Sequence, residues 1–291
     1  MDWLPLALLS AFSLASVDAA TKAWLQDFSA RELALVRLGG AGLLLSPLLA
    51  DLPPLQTLPP PFWGWLAALV PLELTAMLLY MRAIRDHPLS LTLPYLAFTP
   101  VLAIAVAWAL LGERVSLQGA VGILLVVAGA WLLNGDRARR HDWRSWADPL
   151  RAILREPGPR LMLAVAAIYA VTSTLGKAAM TYMAPEDFGA FYFAVLGVGV
   201  LLLFALPNPG SLRKIARRPL PVLAAGLLMA VMAYSHFLAL QQTEVAYMIA
   251  VKRTSLLFGI LYGALLFREP GLARRLPAGI LMVSGVALIL L

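Results

Sequence analysis

The stretch Glu244–Phe267, EVAYMIAVKRTSLLFGILYGALLF, is apolar over almost its whole length yet carries Lys252 and Arg253 side by side at its middle. A run of roughly 20 such residues is long enough to cross the hydrocarbon core of a bilayer. A charge at that depth costs about 2.5–3.5 kcal/mol, so two adjacent cations require an aqueous cavity, a counter-ion or a ligand. Neighbours on a helix differ by about 100° around its axis, so both reach one cavity only if it is wide or the helix is bent. A negatively charged substrate is the reading that explains keeping both.

The rest of the chain agrees with a membrane setting. Hydrophobic residues make up 61% of its 291 positions, charged residues 13%, and mean hydropathy is +0.81. A soluble domain carries about 25% charge. The absence of cysteine excludes disulfides and thiolate chemistry. A net charge of +7 would suggest nucleic acid in a soluble protein; here it is read loop by loop, and no nucleic-acid partner is expected. The N-terminal MDWLPLALLSAF has no basic leader and runs straight into a span.

Ten apolar runs approach membrane length: 3–25, 33–49, 62–81, 89–111 and 117–133, then 161–183, 188–206, 220–240, 245–267 and 276–291. The expected fold is therefore an all-α membrane protein of ten transmembrane helices. Pro- and Gly-rich breaks such as DLPPLQTLPPPF and LPNPGSLRKIARRP separate them. The loops after helices 1, 3, 5, 7 and 9 hold 1, 2, 7, 4 and 3 Lys or Arg, whereas those after helices 2, 4, 6 and 8 hold only Arg114. Positive residues favour the cytoplasm, which places the odd-numbered loops there and both termini on the opposite side. The longest loop, 134–160, contains seven arginines, with Trp143, Trp146, Leu150 and Ile153 at helical spacing. It reads either as an amphipathic helix on the cytoplasmic lipid surface or as a solvated linker.

The halves on either side of that loop, 1–133 and 161–291, echo one another. A shift of 156 places Glu113, Leu125, Val127 and Gly129 on Glu269, Leu281, Val283 and Gly285. A shift of 155 places Thr21-Lys22-Ala23 on Gly176-Lys177-Ala178. Five crossings is an odd number, so two such repeats lie inverted across the membrane. That is an architecture of alternating-access transporters, with substrate near the midplane.

Ten spans as 5+5, a Lys ending helix 1, and a Glu closing helices 4 and 9 (ALLGERVSLQG and ALLFREPG) together resemble the drug/metabolite transporter superfamily, over essentially the whole chain. The resemblance is nearest to its EamA-type branch of bacterial inner-membrane exporters and permeases. It implies passage of a small metabolite through a central cavity by alternating access in the inner membrane. AVKRTSLLFGIL in helix 9 also resembles the plastid triose-phosphate/phosphate translocators, whose Lys-Arg pair contacts substrate phosphate. That likeness implies anion binding at Lys252 and Arg253. The repeat-equivalent positions in helix 4 are Leu96 and Ala97, without a matching base.

Other intramembrane polar residues have two readings each. Glu73, deep in helix 3, is either a fixed ion-pair partner of the cations or a coupling group that yields them to substrate or a proton. Asp18 and Lys22 share a face of helix 1 and pair with each other, or Asp18 lines the cavity. Lys177 either snorkels or makes a second anion contact. Arg37, one turn inside helix 2, is expected at the interface. His236 is a packing residue or a proton carrier. Tyr95, between Pro94 and Pro100, and Tyr234 are candidate substrate contacts. Tyr169 and Thr172-Ser173-Thr174 either bind substrate or join helices. Gly39, Gly40, Gly42, Gly122 and Gly129 are expected at close helix contacts. About two of the deep positive charges are left uncompensated, which favours an anion, or a zwitterion held by its carboxylate, over a cation.

No HExxH, Gly-x-Ser-x-Gly or Gly-x-x-x-x-Gly-Lys motif is present, so an enzyme or a self-contained ATP-driven pump is not expected. No cofactor or metal is expected. The expected partners are a small metabolite, lipid, and a proton or counter-substrate, with the chain a monomer or homodimer. Export of amino acids or similar zwitterions is the alternative within transport, and a non-transporting scaffold or sensor the alternative outside it.

Overall fold

A computed structural model describes residues 3–87, 92–133, 156–266 and 272–291. These residues form helices joined by short turns; the amphipathic element expected within 134–155 lies outside them. Seven helices are long and apolar enough to cross a membrane. They are α1 (Trp3–Trp24), α2 (Ala30–Ala50), α3 (Pro60–Asp86), α6 (Pro157–Ala179), α7 (Pro185–Ala205), α8 (Pro219–Gln242) and the discontinuous helix Val245–Gly263. The last consists of α9a (Val245–Lys252) and α9b (Ser255–Leu265). Three shorter apolar helices complete the set: α4 (Thr99–Leu111), preceded by a 3₁₀ segment at Leu93–Phe98, α5 (Leu117–Leu133) and α10 (Leu272–Leu290).

The helix ends follow from local sequence. Pro60, Pro157, Pro185 and Pro219 occupy first helical positions, where a missing N–H costs nothing. Ser29 and Glu32 cap α2 reciprocally: Ser29 N donates to Glu32 Oε2 at 2.7 Å and Glu32 N to Ser29 Oγ at 3.3 Å. Gly112 ends α4 with φ +68°, a left-handed conformation that glycine adopts without penalty. Two expectations shift. The sixth helix starts at Pro157, so residues 157–160 belong to it rather than to the linker. The break after α7 contains a short helix, Pro209–Ala216, where only a loop was expected.

Packing alternates between the halves. α1 lies against α8, α3 against α6, and α5 against α10, the last being the most extensive pairing. α4 packs on α6 and on α9a, and α2 packs on both α7 and α8. Close approaches are made by glycine. A Cβ on Gly122 would stand 2.7 Å from the Gly285 carbonyl oxygen, and one on Gly285 would stand 2.6 Å from that of Gly122.

Two ionic clusters tie the ends. At one end Lys177 Nζ contacts Glu113 Oε1 at 2.5 Å and donates to the Thr243 carbonyl at 2.6 Å, while Glu113 Oε2 accepts from Val245 N at 2.8 Å. At the other, Lys214 Nζ reaches Glu32 Oε2 at 3.0 Å and the Asp27 carbonyl at 2.5 Å, and Arg218 donates to the Trp24 carbonyl at 3.0 Å.

Candidate substrate cavity

A cavity lies at the centre of the helices, with about 810 Å³ of free space including its mouth. Its wall draws on α1 to α3, the segment before α4, α6 to α8 and α9a. Lys252 and Arg253 both line it. They can because the helix breaks at them: α9a ends at Lys252, and α9b starts at Ser255. The break is a tight turn in which Thr254 N donates to the Val251 carbonyl at 3.0 Å and Leu256 N to that of Arg253 at 3.0 Å. The Thr254 hydroxyl also donates to the Val251 carbonyl, at 2.8 Å, so a side chain competes for the helical acceptor. Lys252, the last residue of α9a, and Arg253, the first of the break, thus both line the cavity.

Lys252 Nζ lies 3.2 Å from Met232 Sδ and 3.2 Å from His236 Nδ1, both on α8. Arg253 donates through Nη2 to Thr99 Oγ1 at 3.3 Å, and its buried Nε has no partner. Thr99 is the first residue of α4, as Ser255 is of α9b, and the two are 156 positions apart (255 − 99). The helix breaks thus fall at equivalent places in the sequence repeat, and Arg253 bridges from one to the other.

Glu73 lines the same cavity beside Thr172. Among the described residues it makes no direct ion pair, and neither does Lys252 or Arg253. His236 is also on the wall, as are Tyr169, Thr172 and Ser173. Tyr80, Tyr192, Phe193, Phe237, Met77 and Met229 give the wall an aromatic and thioether character. Tyr192 stacks on Phe188 at 5.7 Å, and Phe237 meets both rings edge-on.

Several candidates stand elsewhere. Tyr95 is buried with its ring edge-on to Trp131 at 5.6 Å, and neither it nor Tyr234 lines this cavity. Lys177 is held by Glu113 and the Thr243 carbonyl and does not line the cavity. Lys22 is half-buried at the end of α1, where its carbonyl accepts from Gln26. Asp18 is held by Arg37, at 2.7 Å, and by the Tyr80 hydroxyl, at 2.8 Å.

Arg37 is the residue that sequence reasoning misplaced. It is 1% exposed and lines the cavity instead of sitting at the interface. Because α2 starts at Ala30, Arg37 lies about two turns into the helix, out of easy snorkelling reach. Its position in an apolar run was the same signal that singled out Lys252. With Lys177 paired away, Lys22 off the cavity wall at the end of α1, and Arg37 added, the central charges are Lys252, Arg253 and Arg37 against Asp18 and Glu73. The surplus is one positive charge (3 − 2), smaller than the two expected.

A model of the EamA-like transporter family matches residues 1–135 and 157–291. The chain is also similar to the "Probable 4-amino-4-deoxy-L-arabinose-phosphoundecaprenol flippase subunit ArnE" of Enterobacter sp. (strain 638). They are 34% identical over 73 residues, which is 25% of this chain and 68% of that one. Among solved structures, one described as "Crystal structure of protein" superposes with a TM-score of 0.70 over 99% of this chain and 95% of its own, at 16% identity.

Proposed function

Because the chain belongs to the EamA-like transporter family, and is accordingly a multi-pass membrane transporter of the drug/metabolite type, we propose that it carries a small organic anion by secondary-active alternating access. The observation that carries this reading is the break in the ninth helix, at which Lys252 and Arg253 enter one central cavity with no directly paired carboxylate among the described residues. Discontinuous helices meeting near the midplane are how such transporters build substrate sites. In this reading the three shorter apolar helices also cross the membrane, giving ten spans as two inverted repeats. The two stretches matched by the family model support that reading. So does a packing pattern unchanged when the halves are exchanged: α3 on α6 corresponds to α8 on α1, and α5 meets α10. The proposed setting is the bacterial inner membrane, with the Arg-rich odd-numbered loops cytoplasmic.

Lys252 and Arg253 would bind the anion, and Glu73 would adjust the cavity charge as substrate or a proton enters. The amino-acid alternative has one observation in its favour, since Glu73 without an ion pair could receive an ammonium group. Thermal stabilisation of the purified protein separates the two. Organic phosphates, carboxylates, amino acids and organic cations would be screened against the wild type and Lys252→Ala/Arg253→Ala. The proposal expects carboxylates or phosphates to raise the Tm of the wild type and not of the double variant. Stabilisation by cations that persists in the double variant would refute it, and stabilisation by amino acids that is lost in Glu73→Gln would favour the alternative.

A further inference from the structure

The cavity has a second polar end that the Lys252–Arg253 pair does not explain. Ser10 Oγ donates to the Met232 carbonyl at 3.0 Å, and Lys252 Nζ lies against Met232 Sδ, so the Lys252 ammonium stands near the level of Ser10 on α1. Asp18, which holds Arg37, is eight residues further along the same helix (18 − 10), about 12 Å at 1.5 Å per residue. Arg37 therefore lines the cavity at a different level from the Lys252 ammonium.

The guanidinium of Arg37 is only partly satisfied. Nη2 carries three contacts, to Asp18 Oδ1 at 2.7 Å, Thr21 Oγ1 at 2.9 Å and the Val17 carbonyl at 3.4 Å. Nε is buried and has no partner. The Tyr192 hydroxyl, on the same wall, is likewise buried without one. Orphaned donors of this kind are uncommon, because leaving one unpaired costs about 1–3 kcal/mol. The same cavity also has apolar wall from Leu14, Met77, Phe193 and Met229, which a compact hydrophilic ion would leave unmatched.

The charge at the two ends differs. Lys252 and Arg253 against Glu73 leave one positive charge, whereas Arg37 against Asp18 leaves none. The first end favours an anionic group. The second offers hydrogen-bond donors beside a carboxylate, so it favours an uncharged acceptor over a second anion.

We propose that Arg37 is a second substrate contact, and that the site takes an elongated organic monoanion: an acidic head at Lys252 and Arg253, an apolar body, and an uncharged carbonyl-type acceptor at the Arg37 end. This rests on the anion reading of the same cavity and narrows its substrate class.

Calorimetric titration of the purified protein with straight-chain carboxylates, from butanoate to decanoate, tests it. Each length is compared with a plain methyl terminus, a terminal amide and a second carboxylate. At one intermediate length the amide should bind roughly tenfold more tightly than the plain acid, as for one hydrogen bond to a charged donor. The diacid should gain nothing comparable. In Arg37→Gln the amide-to-plain ratio should fall to about one. Arg37→Lys, which keeps a cation for Asp18 but has no Nε donor, should do the same with its Tm retained. An amide advantage absent at every length, or preserved in both variants, would overturn the inference while leaving the anion reading intact. A diacid that binds more tightly than the amide would also overturn it. Failure of every carboxylate to bind the wild type would sink the anion reading, and this one with it.

Discussion

The ammonium of Lys177 is satisfied by the Glu113 carboxylate and the Thr243 carbonyl, and Glu113 in turn accepts the first helical N–H of α9a. One carboxylate thus joins the ends of α4, α6 and α9a. Glu113→Ala would leave a half-buried cation and a backbone donor without their acceptor, and it should lower stability by about 1–3 kcal/mol. Glu113→Gln, whose amide oxygen can still accept from Val245, should cost less. Chemical or thermal unfolding checks the order, and equal losses in the two variants would show that the carboxylate's charge and its hydrogen bond to Val245 do not separate. Such pairings explain which site residues were legible. Lys252, Arg253, Glu73 and His236 announce themselves as polar groups deep in apolar runs, and all four line the cavity. Lys177 gives the same signal and is consumed by a partner 64 residues away in sequence, which only the tertiary structure supplies. Arg37 was hidden by a helix start placed three residues late, at Leu33 instead of Ala30.

Among the elements, α5 and α10 depend on the absence of side chains where they cross. Gly122→Ala would place a methyl group 2.7 Å from the Gly285 carbonyl oxygen, so the helices must separate. A loss of about 1–3 kcal/mol is expected. Gly64→Ala in α3 meets nothing within 4 Å and should be neutral or stabilising by up to about 1 kcal/mol, since alanine is the better helix former. Comparing the two unfolding midpoints tests this contrast; equal effects would mean that α5 and α10 do not pack through these glycines. The breaks were less legible than the packing. Pro94 and Pro100 flag the disturbance before α4, but nothing in VKRTS marks the one at Arg253–Thr254. That turn follows from the Thr254 hydroxyl engaging the Val251 carbonyl and from two cations that gain from facing the same cavity. Thr254→Val removes the hydroxyl and keeps the volume. It should lower transport more than it lowers Tm, and a variant with undiminished transport would show that the backbone turn forms without this bond.

For the whole molecule, the proposed sidedness rests on the distribution of Lys and Arg, a property of the chain that survives errors of a few residues in any helix boundary. The lack of cysteine makes it directly testable. Arg217, in the basic segment before α8, and Glu186, at the start of α7, are both exposed. In intact spheroplasts an impermeant thiol reagent should label Glu186→Cys, and it should label Arg217→Cys only after lysis. The reverse pattern would invert the topology. The central claim, however, is that this fold moves an anion through a cavity governed by Lys252 and Arg253. The most direct test is uptake of a radiolabelled carboxylate or phosphate ester, chosen by its stabilisation of the wild type, into proteoliposomes preloaded with the same compound. The account predicts uptake by the wild type and a fall to the level of protein-free liposomes for Lys252→Ala/Arg253→Ala, with the variant still folded. Undiminished uptake by the folded double variant would contradict it.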